Sequence, residues 1–201
     1  MRFTHKSFIV NGRPLKSINQ YFNKKRALLM SYIGNRGTSN RIGKLTLKRN
    51  CKVNDYMHKA SRFIVNYCIE HHIGTIVIGN NKDWKQNCNM GKRNNQNFVS
   101  VPFEKLISMI QYKSEEVGIR VVITEESYTS KVDHYAGEEM CHHDSYLGKR
   151  IKRGLYRSST GKILNADLNG TIGILRKVSH ESYMQVVSRG GVETPSRIHL
   201  V

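Results

Sequence analysis

The chain has 201 residues, and 33 Lys and Arg against 15 Asp and Glu give it a formal charge of +18 at pH 7. It is long enough for one domain with a hydrophobic core, since 38% of its residues are apolar. A charge of this size favours a polyanionic partner, nucleic acid above all, although a solvated basic surface is the alternative.

Two other classes of protein are disfavoured. No apolar run approaches the ~18 residues that a membrane helix needs, and the N-terminal MRFTHKSFIV turns polar too early for a signal peptide. Cys51, Cys68, Cys88 and Cys141 form no C-x-x-C pair, so neither a zinc ribbon nor a disulfide scaffold is indicated. We therefore expect no membrane partner, reduced cysteines and a cytoplasmic, nucleoid-associated location.

The first 50 residues predict a strand, a basic helix and a loop. A strand is expected at His5–Val10, and a helix is expected to follow Pro14 up to residue 33. Its apolar side chains recur on one face, and its other face carries Lys16, Lys24, Lys25 and Arg26. Residues 34–50 show little apolar periodicity, so they are expected to form a mobile loop. It would order on a phosphate backbone through Arg41, Lys44, Lys48 and Arg49.

The middle of the chain alternates helix and strand patterns. A helical face runs from Asn54 to Cys68, TIVIG at Thr75–Gly79 reads as a buried strand, a helix begins at Pro102, and Ile119–Thr124 is the next strand. This order predicts an α/β layer with parallel strands and right-handed crossovers. Between these elements lies Trp84, flanked by Lys82 and Lys85. It is a candidate for stacking on a base, with a core-packed loop anchor as the equal alternative.

The last third changes character. Residues 129–161 are polar and irregular and are expected to form an insertion at the rim of the layer, with Arg150, Lys152 and Arg153 as further cations for nucleic acid. Within it, Cys141-His142-His143-Asp144 favours a polar loop over a zinc site, because neighbouring side chains rarely point at one ion. NADLNG at 165–170 predicts the start of a helix, and residues 179–201 are expected to form a loosely ordered tail.

Three acids stand at the ends of predicted elements. Glu125 and Glu126 follow the strand Ile119–Thr124, and Asp167 lies where the last helix starts. Ligands collect at the carboxyl ends of parallel strands, and two carboxylates from separate elements are the minimum for holding Mg²⁺. The ordinary alternatives are a solvated strand end for the two glutamates and a capping role for Asp167.

Five stretches together resemble the TnpB-like proteins of bacterial insertion sequences, which are related to the type V CRISPR effectors. They are NGRPLKSINQYFNK (11–24), TIVIGNNKDWKQ (75–86), FVSVPFEKLISMIQYKSEEVGI (98–119), EESYTSK (125–131) and GKRIKRGLYRSSTGKILNADLNG (148–170). The resemblance implies an RNase H-like, RuvC-type core in which three acids bind two Mg²⁺ ions, and cleavage of DNA at a site chosen by a guide RNA. It places the last of the three acids, within an N-A-D-x-N motif, at Asp167.

The sequence departs from this family at three points. Many members have Glu where the strand TIVIG ends in Gly79. Glu126, with Glu125 as the alternative, could supply that carboxylate from the neighbouring strand, about 5 Å away. The two C-x-x-C pairs of a zinc ribbon are reduced to Cys141, so no zinc is expected. The first acid, which lies in a D-x-G strand motif, is not found before Phe8, and neither is the family's amino-terminal nucleic-acid-binding half.

These features predict an α/β fold with an RNase H-like (RuvC-type) core over residues 1–178, incomplete at its N-terminal strand, and with a basic insertion in place of the zinc ribbon. The expected function is that of the carboxyl-terminal part of a transposon-associated, RNA-guided, Mg²⁺-dependent DNA endonuclease. It is expected to be inactive alone, with DNA, a guide RNA and a missing N-terminal half as partners. Asp167 and Glu126 are the expected catalytic and metal-binding residues. The alternative is a remnant that binds nucleic acid without cutting it.

Overall fold

A computed structural model describes residues 7–34, 37–81, 101–188 and 195–200. The described elements are β1 (Phe8–Val10), α1 (Arg13–Ile33), α2 (Asn40–Glu70), β2 (Thr75–Gly79), α3 (Phe103–Glu115), β3 (Arg120–Thr124), β4 (Lys149–Lys152), β5 (Leu155–Arg157), β6 (Ile163–Asn165), α4 (Ala166–Val178), α5 (His180–Ser188) and β7 (Ser196–Ile198). None of the helices in these ranges is long and apolar enough to cross a membrane.

The described residues divide into two compact units, and the single nuclease domain expected over residues 1–178 stays a prediction. The helical unit comprises 10–34, 37–72, 101–118 and 198–200, and so contains α1, α2 and α3. The sheet unit comprises 7–9, 73–81, 119–188 and 195–197, and contains β2 to β6 with α4 and α5. Each unit is described by itself below.

The helical unit packs α1 and α3 against the long helix α2. Helix α1 begins as predicted, with Pro14 in its first turn, and ends at Ile33. Gly34 caps it, because the Gly34 N–H donates to the Met30 carbonyl. The core of the unit is apolar and joins residues of all three helices: Leu15, Val53, Tyr56, Met57 and Met109. Burial of these side chains is what fixes the three helices together.

The loop expected over residues 34–50 is wrong from Asn40 onward, where α2 already begins. Ser39 caps this helix, because its Oγ accepts from the Ile42 N–H at 3.3 Å. The apolar pattern of the sequence does not indicate the first half of α2, because a pair of polar side chains supplies part of the contact between α2 and α1. The Arg49 Nε donates to Oδ1 of the buried Asn19 at 2.8 Å, and burial lowers the pKa of the Arg49 guanidinium.

The predicted parallel pairing is confirmed in the sheet unit. Strands β2 and β3 are parallel and in register from Thr75 opposite Arg120 to Gly79 opposite Thr124. Helix α4 packs on this pair and also contacts β5 and β6, which form an antiparallel three-stranded sheet with β4. Residues 125–127 therefore follow the C-terminal end of this parallel pair and lie beside α4.

Part of the segment expected to be an irregular rim insertion, 129–161, is core. Asp133 is fully buried, and its Oδ2 accepts from the Ser158 Oγ at 2.9 Å and from the Ser159 N–H at 2.7 Å. Glu138 accepts from the N–H groups of Asp133 at 2.6 Å and Leu147 at 2.8 Å. Two buried carboxylates thus hold the segment together by accepting backbone hydrogen bonds, which offset their loss of hydration.

The tail expected to be loosely ordered contains a packed helix, so that prediction is wrong for its described residues. Helix α5 buries Tyr183, whose hydroxyl donates to the His134 carbonyl at 2.6 Å. Tyr183 joins Tyr156, Leu164 and Ile172 in the main core of the sheet unit. Farther along, β7 pairs with β1. The short aromatic and apolar pattern after Val178 was enough to fix one helix by tertiary packing.

Candidate functional site

A basic groove lies between α1 and α2 in the helical unit. One part of the groove has a volume of about 480 Å³. It is lined by Tyr21, Lys25, Leu28, Leu29, Tyr32, Arg41, Lys44, Leu45 and Lys48. A second part, about 450 Å³, continues past Lys48 to Arg49 and Lys52. Lys25 comes from α1, whereas Arg41, Lys44 and Lys48 come from successive turns of α2, so the two helices present cations to the same groove.

Two tyrosines stand exposed along the same groove. Tyr21 is 61% exposed and Tyr32 is 74% exposed, although large aromatic side chains normally bury most of their surface. They lie eleven residues apart on α1, which puts them on one face of the helix, roughly 16 Å apart along its axis. Lys25 and Leu28 fall between them on that face. An exposed aromatic stripe beside cations is a surface on which unpaired bases can stack.

The sequence places no acidic residue among the cations of α1 and the first half of α2. The first acidic residue of the chain is Asp55, so α1 and the first half of α2 carry cations only. A row of uncompensated cations attracts polyanions and repels itself without them. The groove therefore has the electrostatics of a phosphate-binding surface.

The other predicted nucleic-acid contacts divide into four groups. Lys16, Lys24 and Arg26 are exposed on α1 but do not line the groove, and Arg150, Lys152 and Arg153 are exposed in the sheet unit, at and after β4. Arg49 lines the second part of the groove, but its Nε donates a hydrogen bond to the Asn19 Oδ1. Lys82, Trp84 and Lys85 lie outside the described residues. Sequence reasoning missed Tyr21 and Tyr32 as candidates for contact with bases. The spacing of the two tyrosines on the predicted helix was the signal that could have found them.

The structure separates the two glutamates that follow β3. Glu125 is exposed, and its carbonyl accepts from the Lys177 Nζ at 3.0 Å. Glu126 is half-buried, and its N–H donates to the Asn81 Oδ1 at 2.9 Å. A Cβ atom at Gly79 would lie 2.6 Å from both Cγ and Oε1 of Glu126. The Glu126 side chain thus fills the space that a side chain at position 79 would take.

Asp167 lies in the first turn of α4, and Asn165 is the residue that caps the helix. The Asn165 Oδ1 accepts from the N–H groups of Asp167 at 2.8 Å and Leu168 at 3.4 Å, so Asn165 is the N-cap and Asp167 is the acid of the first turn. Its side chain is exposed. The second asparagine of the motif, Asn169, is fully buried and its Nδ2 donates to the Val132 carbonyl at 2.9 Å, which fixes α4 against residues 129–134.

The described residues do not complete a magnesium site. Glu126 and Ile174 approach the same point beside Gly79, and Asp167 precedes Ile174 by two helical turns, roughly 10 Å along α4. No three His, Cys, Asp or Glu side chains in the described ranges lie close enough together to hold a metal ion. Carboxylate oxygens are the donors that Mg²⁺ prefers, but a two-ion nuclease site needs several of them on the same ions.

The comparisons with known proteins agree with the resemblance found in the five stretches. A family model described as a probable transposase (OrfB_IS605) matches residues 3–85, and one described as the TNB domain of Cas12f1-like proteins matches residues 103–174. TnpB-like protein ORF457 of Acidianus two-tailed virus is 31% identical over 107 residues, which are 52% of this chain. This chain spans only 20% of that relative's length.

A solved structure shares the fold. One chain in the cryo-EM structure of a Cas12f1–sgRNA–target DNA complex matches with a TM-score of 0.55 at 16% identity, over 82% of this chain and 42% of that one. At this identity the likeness concerns the mixed α/β fold alone. The two family matches and the viral relative support the recognition of the chain as TnpB-like, and the solved structure agrees with it in fold.

Proposed function

We propose that this chain acts as part of an RNA-guided DNA nuclease and that its α1–α2 groove holds nucleic acid in it. The observation that carries the proposal is the groove itself, with Lys25, Arg41, Lys44 and Lys48 on one surface and no carboxylate in the chain before Asp55. Phosphates would neutralise the cations, and bases without a pairing partner would stack on the two exposed tyrosines. DNA and a guide RNA are the proposed partners.

The test is binding of fluorescein-labelled 20-nucleotide RNA and DNA, followed by fluorescence anisotropy. We expect the triple variant Lys25→Ala, Lys44→Ala, Lys48→Ala to bind at least about tenfold more weakly at low salt, because three phosphate contacts are removed. The matched control removes the same charge from exposed residues elsewhere: Lys105→Ala, Arg120→Ala, Arg197→Ala. Equal losses of affinity in the two triple variants would reduce the groove to one part of a diffuse basic surface.

Cleavage is the second candidate function, and the position of Glu126 favours it. Its carboxylate occupies the space beside Gly79, at the strand end where the family resemblance puts a metal-binding glutamate. We propose Asp167 and Glu126 as Mg²⁺ ligands, with at least one further acid still required. Because the described residues bring no third acid to them, the chain is proposed not to cut DNA by itself.

Nicking of supercoiled DNA in Mg²⁺ tests this candidate. We expect no nicking by the chain alone, and none when Glu126→Gln or Asp167→Ala is assayed beside it. Nicking by the chain alone that both substitutions abolish would establish a complete site and overturn the proposal of inactivity. Nicking that neither substitution affects would point to a contaminating nuclease, and the chain would remain without a demonstrated cleavage site.

A further inference from the structure

A second basic depression lies on the helical unit, away from the α1–α2 groove. It has a volume of about 590 Å³ and is lined by His58, Lys59, Arg62, Tyr112, Lys113 and Leu200. The first three come from one stretch of α2, and Tyr112 and Lys113 come from α3. It shares no lining residue with the α1–α2 groove.

Lys113 is the unusual residue of this depression because it is a buried cation. It is 4% exposed, and its Nζ donates to the His58 carbonyl at 2.9 Å and to the Ser61 Oγ at 2.6 Å. An ammonium group has three N–H donors, so these two bonds leave one of them over. Within the described part of the chain, no carboxylate comes within ion-pair distance of Lys113. Burial lowers the pKa of Lys113, and the charge of Arg62 lowers it further, against an opposing effect of Glu116.

The two cations beside Lys113 are held only by weak ion pairs. Lys59 contacts Asp55 at 3.2 Å and Arg62 contacts Glu116 at 3.8 Å, and all four side chains are about half exposed or more. Exposed pairs of this kind contribute little to stability, so both cations can turn toward another anion at small cost. Tyr112 and Leu200 add apolar surface to the lining of the depression.

We propose that this depression binds a phosphate group. Arg62 would grip two of its oxygens through the guanidinium fork, and Lys59 and the remaining Lys113 N–H would each take another. A phosphate has both the charge and the number of oxygens to satisfy three converging cations, whereas a chloride ion has a single centre. The phosphate can belong to a nucleic-acid backbone or to a free phosphorylated molecule. This site is separate from the proposed α1–α2 surface and does not depend on it.

The test is thermal unfolding in inorganic phosphate against sodium chloride of equal ionic strength. We expect phosphate at ten times its Kd to raise the Tm by about 4 °C, because a ligand that binds only the folded state stabilises it. The double variant Lys59→Gln, Arg62→Gln should lose this rise. It spares Lys113, whose substitution would disturb the contact between α2 and α3. The control Lys16→Gln, Lys105→Gln removes two exposed charges of the same unit and should keep the rise.

The same variants identify the source of the phosphate. If the double variant also binds a labelled 20-nucleotide strand more weakly, and phosphate competes with that strand, the site takes a backbone phosphate. If binding of the strand is unchanged, the site takes a free phosphorylated molecule. The proposal is overturned if phosphate does not raise the Tm, or raises it equally in the double variant. Since that measurement involves no oligonucleotide, its result is independent of the test of the α1–α2 groove.

Discussion

At Gly79, the end of β2 lies against Glu126, which follows β3, and against Ile174 of α4. A Cβ atom there would lie 2.6 Å from Glu126 atoms and 2.6 Å from Cδ1 of Ile174, closer than nonbonded carbons approach. The Glu126 side chain can therefore fold over this strand end only because residue 79 is a glycine. A glutamate at position 79 itself would have to displace the Glu126 side chain.

This arrangement makes Gly79→Ala destabilising. The added methyl group overpacks the contact, so we expect a loss of about 1–3 kcal/mol in the free energy of unfolding, measured by urea denaturation. Adding Glu126→Ala to Gly79→Ala should recover part of that loss, because one of the two close contacts disappears. Gly74→Ala is the matched control, since a Cβ at Gly74 meets nothing within 4 Å. Strict additivity of Gly79→Ala and Glu126→Ala would contradict the contact.

His134 is a second residue whose role the structure defines. It is fully buried, with Nε2 2.9 Å from the Thr129 carbonyl, so Nε2 carries a proton and donates to that oxygen. The ring packs against Gly173 of α4, where an added Cβ atom would lie only 2.4 Å from Nε2. The ring therefore has no room to move toward α4. Burial lowers the pKa of His134, as does the charge of Arg176, against opposing effects of the Thr129 carbonyl, Asp133 and Glu138.

The lowered pKa of His134 predicts that acid destabilises the protein. Between its ordinary pKa of about 6.5 and its lower folded-state pKa, the unfolded chain binds the proton and the folded chain does not. His134 therefore contributes stability that is complete above pH 6.5 and falls as the pH drops through that window. Urea midpoints at pH 7.5 and 5.5 should show a smaller difference in His134→Gln than in the wild type. The exposed control His142→Gln should keep the wild-type difference, and an unchanged difference in His134→Gln would rule out this role.

At the scale of elements, β1 to β3 and the helices α1, α3 and α4 follow from sequence patterns, whereas β4 to β7 and α5 do not. Contacts made by polar side chains do not follow from them either. Periods of apolar residues located α1, β2, β3 and α4, and the resemblance located Asp167. The first half of α2 was missed because Arg49 and Asn19 take the place of an apolar contact. The buried segment around Asp133 was missed because its partners, Ser158 and Ser159, are 25 and 26 residues away. No local pattern encodes a partner at that distance.

Helix α1 gives a prediction about the kind of nucleic acid that its groove prefers. Bases can stack on Tyr21 and Tyr32 only if they are unpaired, because the faces of paired bases are covered by their neighbours in the duplex. Tyr21→Ala with Tyr32→Ala should therefore weaken binding of a single strand by about 1–3 kcal/mol per stacked base and change duplex binding much less. Anisotropy titrations with a single strand and the corresponding duplex measure both. Equal losses for the two would leave the tyrosines as general contact surface.

Across the whole molecule, the acidic residues of the chain do not neutralise its cations, and a formal charge of +18 is left over. Two ion pairs within 4 Å are found in the described part of the chain, and neither lies in the α1–α2 groove. Most of the cations are therefore balanced by solvent ions in the free protein. Nucleic acid that displaces those ions gains the entropy of their release, which makes its binding steeply dependent on salt.

That dependence gives a count of phosphate contacts in the groove. For a single strand, each neutralised phosphate contributes about 0.7 to the slope of log K against log salt concentration. Lys25→Ala, Lys44→Ala, Lys48→Ala should therefore reduce the magnitude of the slope by about 2, measured by anisotropy from 50 to 200 mM salt. The triple control Lys105→Ala, Arg120→Ala, Arg197→Ala should leave the slope nearly unchanged, because those cations lie outside the groove. If the groove variant lowers affinity at every salt concentration without changing the slope, its lysines act through the fold of the α1–α2 pair and not through phosphates.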